Sequence, residues 1–324
     1  MDRNLALEFV RVTEEAAIAA ARWVGKGDKH SADQAAVNLM RKRFDGIDIS
    51  GKVVIGEGER DEAPMLFIGE KVGTGNGPGF DIAVDPLECT NSVAYGRPNA
   101  ISVLAAAPSG NLLGAPDTYM NKIAVGPLAA GKVDLDARPS ENIQAVADAL
   151  GKDADEVTVV VLDRERHEKL IKDIRETGAR IILIPDGDIS GAIAPSLETN
   201  NADLLLGTGA APEGVIAAAA IKCLGGEIQG RLSFRNEDEK RRAKEMGIKD
   251  LEKKYSTNEL VRGDNVIFSA TGILSGLLLD GVQFTSTGVI THSLVTRSKS
   301  GTIRFIKANH RMDHKEHKKI AMPR

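Results

Sequence analysis

Between Val157 and Leu224 short aliphatic runs alternate with segments of helical period, and this alternation restricts the fold more than any other feature of the chain. Val157 to Leu162 reads as a strand, Arg166 to Thr177 as a helix, and Arg180 to Ile184 as a strand ending in Pro185-Asp186-Gly187-Asp188. Asp203 to Leu206 follows as a strand, and Pro212 to Leu224 as a helix closed by Gly225-Gly226. Strand-helix-strand order of this kind predicts an α/β architecture, with helices packed on sheet faces.

The first half carries its elements less regularly. Leu5, Phe9, Val12, Ala16, Ala19 and Trp23 recur at three and four residues, an amphipathic helix ended by Gly25 and Gly27. Ser31 and Gln34 make a capping box that opens a second helix over Ala32 to Phe44. Val53-Val54-Ile55 reads as a strand breaking at Gly56-Glu57-Gly58-Glu59, and Pro64 as the first residue of a third helix reaching Val72. Phe80 to Val84 is a strand running into Asp85-Pro86. Ile101 to Ala107 is another, and the turn Pro108-Ser109-Gly110 predicts a hairpin partner beyond it. Asn236 to Lys254 is densely charged, with Met246 and Leu251 as sparse anchors, and reads as a solvated helical excursion. Asn265 to Ala270, Gly288 to Thr296 and Thr302 to Lys307 are late strands, followed from Asn309 by a basic, loosely packed tail. Ala137 to Asp155 is the least structured stretch and places a domain boundary near residue 150.

Composition narrows the function classes. At 324 residues the chain has room for one large or two fused domains, and 42% hydrophobic with 27% charged residues excludes disordered and fibrous classes. Lys plus Arg at 42 against Asp plus Glu at 46 gives a net charge of −4, so no basic excess points to nucleic acid or an anionic membrane. Aromatics at 4% argue against a base-stacking surface. No run approaches the roughly 18 apolar residues of a membrane span, and the first residues lack the basic-then-apolar order of a signal peptide. Cys89 and Cys223 read as free thiols in a reducing cytoplasm.

Acids at strand ends carry the chemistry. Asp85-Pro86-Leu87-Glu88 follows a buried strand and is joined by Thr90 and Asn91; Glu57 and Glu59 lie among glycines after another strand. Glu213 opens a helix after Gly207-Thr208-Gly209, and Asp33 sits in the first turn of the second helix. Each has an ordinary structural role as well. Asp33 and Glu213 complement helix dipoles and Asp85 starts a turn, while Glu57 between glycines has the weakest such excuse. Taken as one site, converging carboxylates require a counter-charge. Hard divalent cations supply it, and an all-oxygen donor set favours Mg²⁺ or Mn²⁺ over Zn²⁺. Such a site, with glycine loops and nearby Arg and Lys, suits hydrolysis of a phosphate ester. Gly73 to Gly79 precedes a strand rather than opening a helix, which argues against a dinucleotide site. Cys89 and Arg97 have the wrong spacing for a phosphocysteine loop, and His310, His314 and His317 read as solvated tail.

Seven segments in order carry a resemblance. They are Lys29-His30-Ser31-Ala32-Asp33, Val54 to Glu59, Asp85 to Asn91, Tyr119 to Pro127, Leu162 to His167, Pro185 to Asp188, and Gly207 to Gly214. In these the chain resembles the class II (GlpX-type) fructose-1,6-bisphosphatases almost end to end. The Asp-Pro element is shared more widely with lithium-sensitive sugar and inositol phosphatases. The resemblance implies a layered αβαβα fold, with a metal-site unit over 1–150, a sugar-phosphate-binding unit over 151–324, and late strands packing back. It implies Asp33, Glu57, Asp85, Glu88 and Glu213 as ligands of two or three Mg²⁺ or Mn²⁺ ions, and Thr90 as the catalytic hydroxyl. Glu88, Cys89 and Thr90 would meet the scissile 1-phosphate. Tyr119, Arg164, Glu165, Arg166, Asp186, Gly187, Asp188 and the Ala210 backbone would hold the rest of the sugar, with Lys29 as a phosphate helper. The implied activity is metal-dependent hydrolysis of D-fructose 1,6-bisphosphate in gluconeogenesis, by a cytoplasmic homodimer or homotetramer. Sedoheptulose 1,7-bisphosphate is the alternative substrate, and an impaired sugar-phosphate-binding regulator the alternative role.

One departure bears on that role. The family carries glycine at the position of Cys89. A positive φ there would strain cysteine by roughly 1 kcal/mol or more and crowd the phosphate; a negative φ would accommodate it; and a thiol beside metals would be oxidation-sensitive. Ala210, where the family often has glycine, is a milder change because its contact is through backbone.

Overall fold

The spacing from Leu5 onward forms α1 (Leu5–Ala21), whose buried face includes Phe9, Val12 and Ala16. In this computed structural model, which describes residues 5–58, 65–198 and 200–311, α1 is followed by α2 (Lys29–Phe44), β1 (Ser50–Ile55), β2 (Lys71–Val72), β3 (Gly79–Glu88), α3 (Thr90–Tyr95) and β4 (Ile101–Pro108). Then come β5 (Tyr119–Val125), α4 (Pro139–Leu150), β6 (Thr158–Leu162), α5 (Glu168–Glu176), β7 (Arg180–Ile184), α6 (Asp188–Ile193), β8 (Leu204–Ala210) and α7 (Ala211–Leu224). The last elements are β9 (Glu227–Ser233), α8 (Glu237–Glu245), β10 (Lys254–Ser256), α9 (Thr257–Leu260), β11 (Ile267–Gly272), β12 (Gln283–Thr285), β13 (Gly288–Arg297) and β14 (Thr302–Arg311).

These elements stack as five layers, the αβαβα order. Eight strands form one sheet in the order β12-β13-β11-β4-β3-β1-β2, with β14 also paired to β13. Six form the other, in the order β10-β9-β5-β8-β6-β7. The helices α1 and α2 cover the outer face of the first sheet through a cluster that includes Phe9, Met40, Phe80 and Ile82. Between the sheets lie α6 and α7, where Ile189, Val215 and Ile216 meet Val103 and Phe268 from one side and Val160 and Leu205 from the other. Outside the second sheet α4 and α5 pack Ile143, Val146 and Ile174 on Val159 and Val161. Pairing is parallel at β1/β3, β6/β7 and β6/β8, and antiparallel at the remaining ladders. The first sheet takes its strands from residues 50–108 and 267–311, the second from 119–256. Hydroxyls pin α1 to the first sheet: buried Thr13 Oγ1 lies 3.0 Å from Ser269 Oγ and 2.8 Å from Thr271 Oγ1, and Thr291 donates to Glu14 at 2.9 Å.

Several local expectations change. The cap of α2 is Asp28, which accepts from the Ser31 N–H at 3.0 Å, so the helix starts three residues before the predicted Ala32. Pro64 lies outside the described residues, and the helix expected to reach Val72 does not form after it. Leu66 takes φ +55° and Gly69 φ +96°, which no helix accepts, and the chain turns into β2. No hairpin follows Pro108, because both edges of β4 are already taken, by β3 and β11. The stretch from Ala137 to Asp155 is not unstructured: it holds α4, with Pro139 at its first position and Glu141 closing a capping box. Asn309 to Arg311 belong to β14, and His310 Nε2 lies 2.9 Å from Thr291 Oγ1, so it is part of the hydroxyl network; His314 and His317 are outside the described residues.

Phe9 is fully buried and meets the Phe80 ring edge-on, with centroids 6.3 Å apart. Phe9→Ala is expected to destabilise the chain by about 3–5 kcal/mol, read from the shift of its denaturant midpoint.

Candidate active site

Pro86 has no N–H to give a ladder, and the pairing of β3 with β4 slips between Asp85 and Glu88. On a regular strand residues three apart face opposite sides. The slip lets Asp85 and Glu88 face the same cavity, a space of about 460 Å³. The loop after β1 brings Glu57 to it, the second turn of α2 brings Asp33, and the start of α7 brings Glu213. Carboxylate oxygens of Asp85, Glu88 and Glu213 all lie within 4.8 Å of one another. Cys89, Thr90, Asp186 and Ala210 also line this space.

The electrostatics of the cluster follow from its burial. Desolvation, with the Asp33 and Asp85 charges adding to it, pushes Glu57 up from 4.5 to about 9. Desolvation is also the main reason that Asp85 rises from 3.8 to about 6. Glu88 and Glu213 are raised well above the usual carboxylate range, first by burial and then by neighbouring acids. Asp33 is raised by burial, against a contact with Glu57 that lowers it. Glu88 Oε1 is buried and, among the described residues, has no hydrogen-bond partner. Buried oxygens without donors, in a cluster whose protons are held this tightly, fit hard divalent cations as the missing counter-charge.

Beside Glu213 the site is organised around a buried lysine. Lys122 in β5 is 2% exposed, and its Nζ lies 2.5 Å from Asp188 Oδ2 and 4.0 Å from Glu213 Oε2. Burial works to raise Asp188, but the Lys122 charge and the hydrogen bonds with Glu213 and Lys122 together outweigh it and hold the carboxyl below its ordinary value. A Cβ on Gly209 would overlap the Asp188 carboxylate. Arg164 reaches Asp186 at 3.4 Å. The Tyr119 ring lies between two guanidiniums, Arg166 at 4.8 Å and Arg235 at 5.1 Å. Arg166 also donates twice to the Thr208 carbonyl, at 2.7 and 3.1 Å. His167 is neutral by its bonds: Nδ1 contacts the Leu162 carbonyl and Nε2 accepts from the Thr208 N–H, both at 2.8 Å. Lys29 and Glu165 are exposed and do not line the cavity.

Gly187 takes φ +86°, and a Cβ there would stand 2.7 Å from Cys89 Sγ and 2.6 Å from Asn99 Nδ2. Asn99 Nδ2 donates to the Asp186 carbonyl at 3.1 Å, and so ties the loop between α3 and β4 to the Asp186-Gly187 loop. Lys122 and Asn99 escaped the reading of the sequence. The signal for Lys122 was a lone lysine set against the apolar Ile123-Ala124-Val125; Asn99 left none.

The model of the bacterial, glpX-encoded fructose-1,6-bisphosphatase family matches residues 3–310. The chain belongs to the GlpX-type fructose-1,6-bisphosphatase family. It is 49% identical over 326 residues, covering 97% of this chain and 98% of the relative, to proteins of Prochlorococcus marinus strains NATL1A and MIT 9301. Each of those relatives is named D-fructose 1,6-bisphosphatase class 2/sedoheptulose 1,7-bisphosphatase.

At the position where the resemblance implies glycine, Cys89 takes φ +74° and ψ +54°, immediately before α3. The left-handed reading therefore holds and the negative-φ reading does not. The thiol is free and buried, and burial followed by the charges of Glu88, Asp186 and Asp85 pushes it well above its ordinary value. The reactive thiolate is thus disfavoured in the metal-free site. A cysteine in this conformation is strained by about 1–2 kcal/mol, which largely offsets the extra chain entropy that glycine would lose on folding, about 0.5–1 kcal/mol. Cys89→Gly should therefore leave the denaturant midpoint nearly unchanged, whereas Cys89→Val, β-branched at positive φ, should lower stability by about 2 kcal/mol or more.

The raised acids give a pH dependence of definite sign. The folded metal-free chain holds protons more tightly than the unfolded one, so this contribution to stability is full below the ordinary values of 3.8 and 4.5 and is lost as pH rises through about 6 and about 9. In EDTA the melting temperature should fall across that window, and Glu57→Gln should flatten its upper part.

Proposed function

We propose that this chain is a divalent-cation-dependent phosphomonoesterase that hydrolyses the 1-phosphate of D-fructose 1,6-bisphosphate to fructose 6-phosphate and phosphate. The observation that carries the reading is the convergence of Asp33, Glu57, Asp85, Glu88 and Glu213 with Thr90 on one cavity, in a member of the GlpX-type family. In this reading the five acids would hold two or three Mg²⁺ or Mn²⁺ ions, which would neutralise charge on the phosphoryl oxygens and the alkoxide leaving group and make a water easier to deprotonate for attack.

The chain's own residues do the positioning. The Thr90 hydroxyl orients the attacking water, whose proton passes to a neighbouring carboxylate. As the water oxygen bonds to phosphorus the ester P–O bond breaks, and the sugar oxygen takes up a proton to leave as the 1-hydroxyl. Asp188, kept ionised by Lys122, and Asp186 accept hydrogen bonds from sugar hydroxyls. Arg164 and Arg166 grip the distal phosphate as planar forks beside Tyr119, with Gly187 and the Ala210 backbone as further contacts to the sugar; the exposed Lys29 and Glu165 are left without a role in this reading. The work divides along the chain: residues 1–150 carry four of the five proposed ligands, and 151–324 most of the sugar-phosphate contacts. The reading places the enzyme in gluconeogenesis, in the cytoplasm, as a homodimer or homotetramer.

Two other readings each have one observation in their favour. The names of the relatives pair the fructose with the sedoheptulose activity, and one extra hydroxymethylene unit is a difference that a pocket discriminates weakly. The Cys89 side chain lines the cavity at positive φ, which favours a sugar-phosphate-binding protein with impaired turnover. Phosphate release from each bisphosphate, with Mn²⁺, Mg²⁺ or EDTA under reducing conditions, separates all three. Metal-dependent release that is lost in Asp33→Ala and Glu57→Ala is the expected result. Tight sugar bisphosphate binding without release would favour the impaired reading, and turnover retained by Asp33→Ala at saturating Mn²⁺ would sink the proposed ligand set.

A further inference from the structure

The cavity walls carry charge of one sign almost throughout. Besides the five proposed ligands, Asp117 and Asp186 line the space, and Arg242 is the single basic residue among its described lining. Arg242 belongs to α8, the segment that the sequence reads as a solvated excursion. One face of that helix is not solvated. Glu239 is 1% exposed, accepts from the Thr118 hydroxyl at 2.6 Å and pairs with Arg235, and Ala243 is fully buried. Met246, just past the helix end, lines the cavity with Arg242. Residues 239, 242, 243 and 246 recur at three and four, so Arg242 shares the inward face. Its neighbour Arg241 points outward and pairs with Asp238 at 3.3 Å and Glu245 at 3.5 Å. The Arg242 side chain forms no ion pair among the described residues, although it shares a cavity with seven acids.

An arginine with no ion pair among the described residues, on the wall of a site where cations would neutralise the opposing carboxylates, is placed to receive an anion. Resting on the phosphomonoesterase reading, we propose that Arg242 is a catalytic residue whose guanidinium contacts the oxygens of the phosphoryl group being hydrolysed. Asp186 and Ala210 share the space as well, so the choice of phosphate rests on the residues that grip the distal one. Arg242 lines the same space as Glu88, Cys89 and Thr90, whereas Tyr119, Arg164 and Arg166 lie outside that lining. The planar fork matches two phosphoryl oxygens at once. Negative charge redistributes over those oxygens as the ester bond breaks, so the contact strengthens toward the transition state and acts on kcat.

The test compares wild type, Arg242→Ala, Arg242→Lys and Arg241→Ala as full chains loaded with Mn²⁺. It measures steady-state phosphate release from fructose 1,6-bisphosphate and calorimetric binding of inorganic phosphate. Arg242→Ala should lower kcat by about 100-fold or more while changing KM much less, should weaken orthophosphate binding, and should regain part of its turnover with added guanidinium. Arg242→Lys keeps the charge without the fork and should fall between the two, and Arg241→Ala should match wild type. A rise in KM at unchanged kcat would move Arg242 to the distal phosphate and overturn the assignment. So would lost turnover with wild-type phosphate binding and no guanidinium rescue, the pattern of a purely structural role. An Arg242→Ala enzyme as active as a working wild type overturns this assignment alone, while a wild type that releases no phosphate overturns the phosphomonoesterase reading and the assignment with it.

Discussion

Burial of a cluster of carboxylates is the constraint that the rest of this structure answers. Glu57, Asp85, Glu88 and Glu213 are pushed above their ordinary values chiefly by desolvation, with the charges of neighbouring acids adding to it. Nothing local draws them together; they meet because the elements beneath them have no other place to go. β3 lies between β1 and β4 in the first sheet, and α7 is wedged between the two sheets. The packing of aliphatic layers thus offsets the electrostatic cost of the cavity until protons or cations take over. Cation binding and folding are consequently parts of one equilibrium.

The same physics sorts the acids into two kinds. Asp188 is as deeply buried as Glu88, yet Lys122 beside it keeps it ionised, while Glu88 has no such partner. In the proposed function, an internal cation suits an acceptor of sugar hydroxyls, which must stay charged in a fixed orientation. A carboxylate that lacks one would be left to bind an exchangeable ion. Gly209 and Gly187 keep the space clear around these groups, one beside the Asp188 carboxylate and the other against Cys89 and Asn99.

Legibility in the sequence followed the range of the forces involved. Elements whose pattern is local were readable: α1 from its apolar spacing, the β6-to-β7 unit from its alternation, and α7 from Pro212 and the closing glycines. Those set by neighbours were not. β5 sits at the centre of the second sheet but is interrupted by Asn121 and Lys122, and α4 looked like a linker because its apolar face is only Ile143, Val146 and Ala147. The expected helix up to Val72 failed at Leu66 and Gly69, whose positive φ angles no propensity announces. The carboxylates picked from the sequence line one cavity because they follow strands or open helices, positions that topology gathers. The inward face of α8 was hidden by its own charge, since only the anchoring of Glu239 and Ala243 turns Arg242 toward the cavity.

The interleaving of the first sheet has a consequence for biosynthesis. β11 lies between β4 and β13, so strands separated by more than half the chain must pair before that sheet is complete. The second sheet draws on one continuous stretch, from β5 to β10. On a ribosome the N-terminal strands therefore emerge first but wait with an open edge at β4, while the middle of the chain can already condense. Closure of that edge comes only with the late strands, a high-contact-order step that is intrinsically slow. A chain truncated before β11 would leave one edge of an alanine-rich strand, β4, without its partner, open to other chains at the stage when it is least protected.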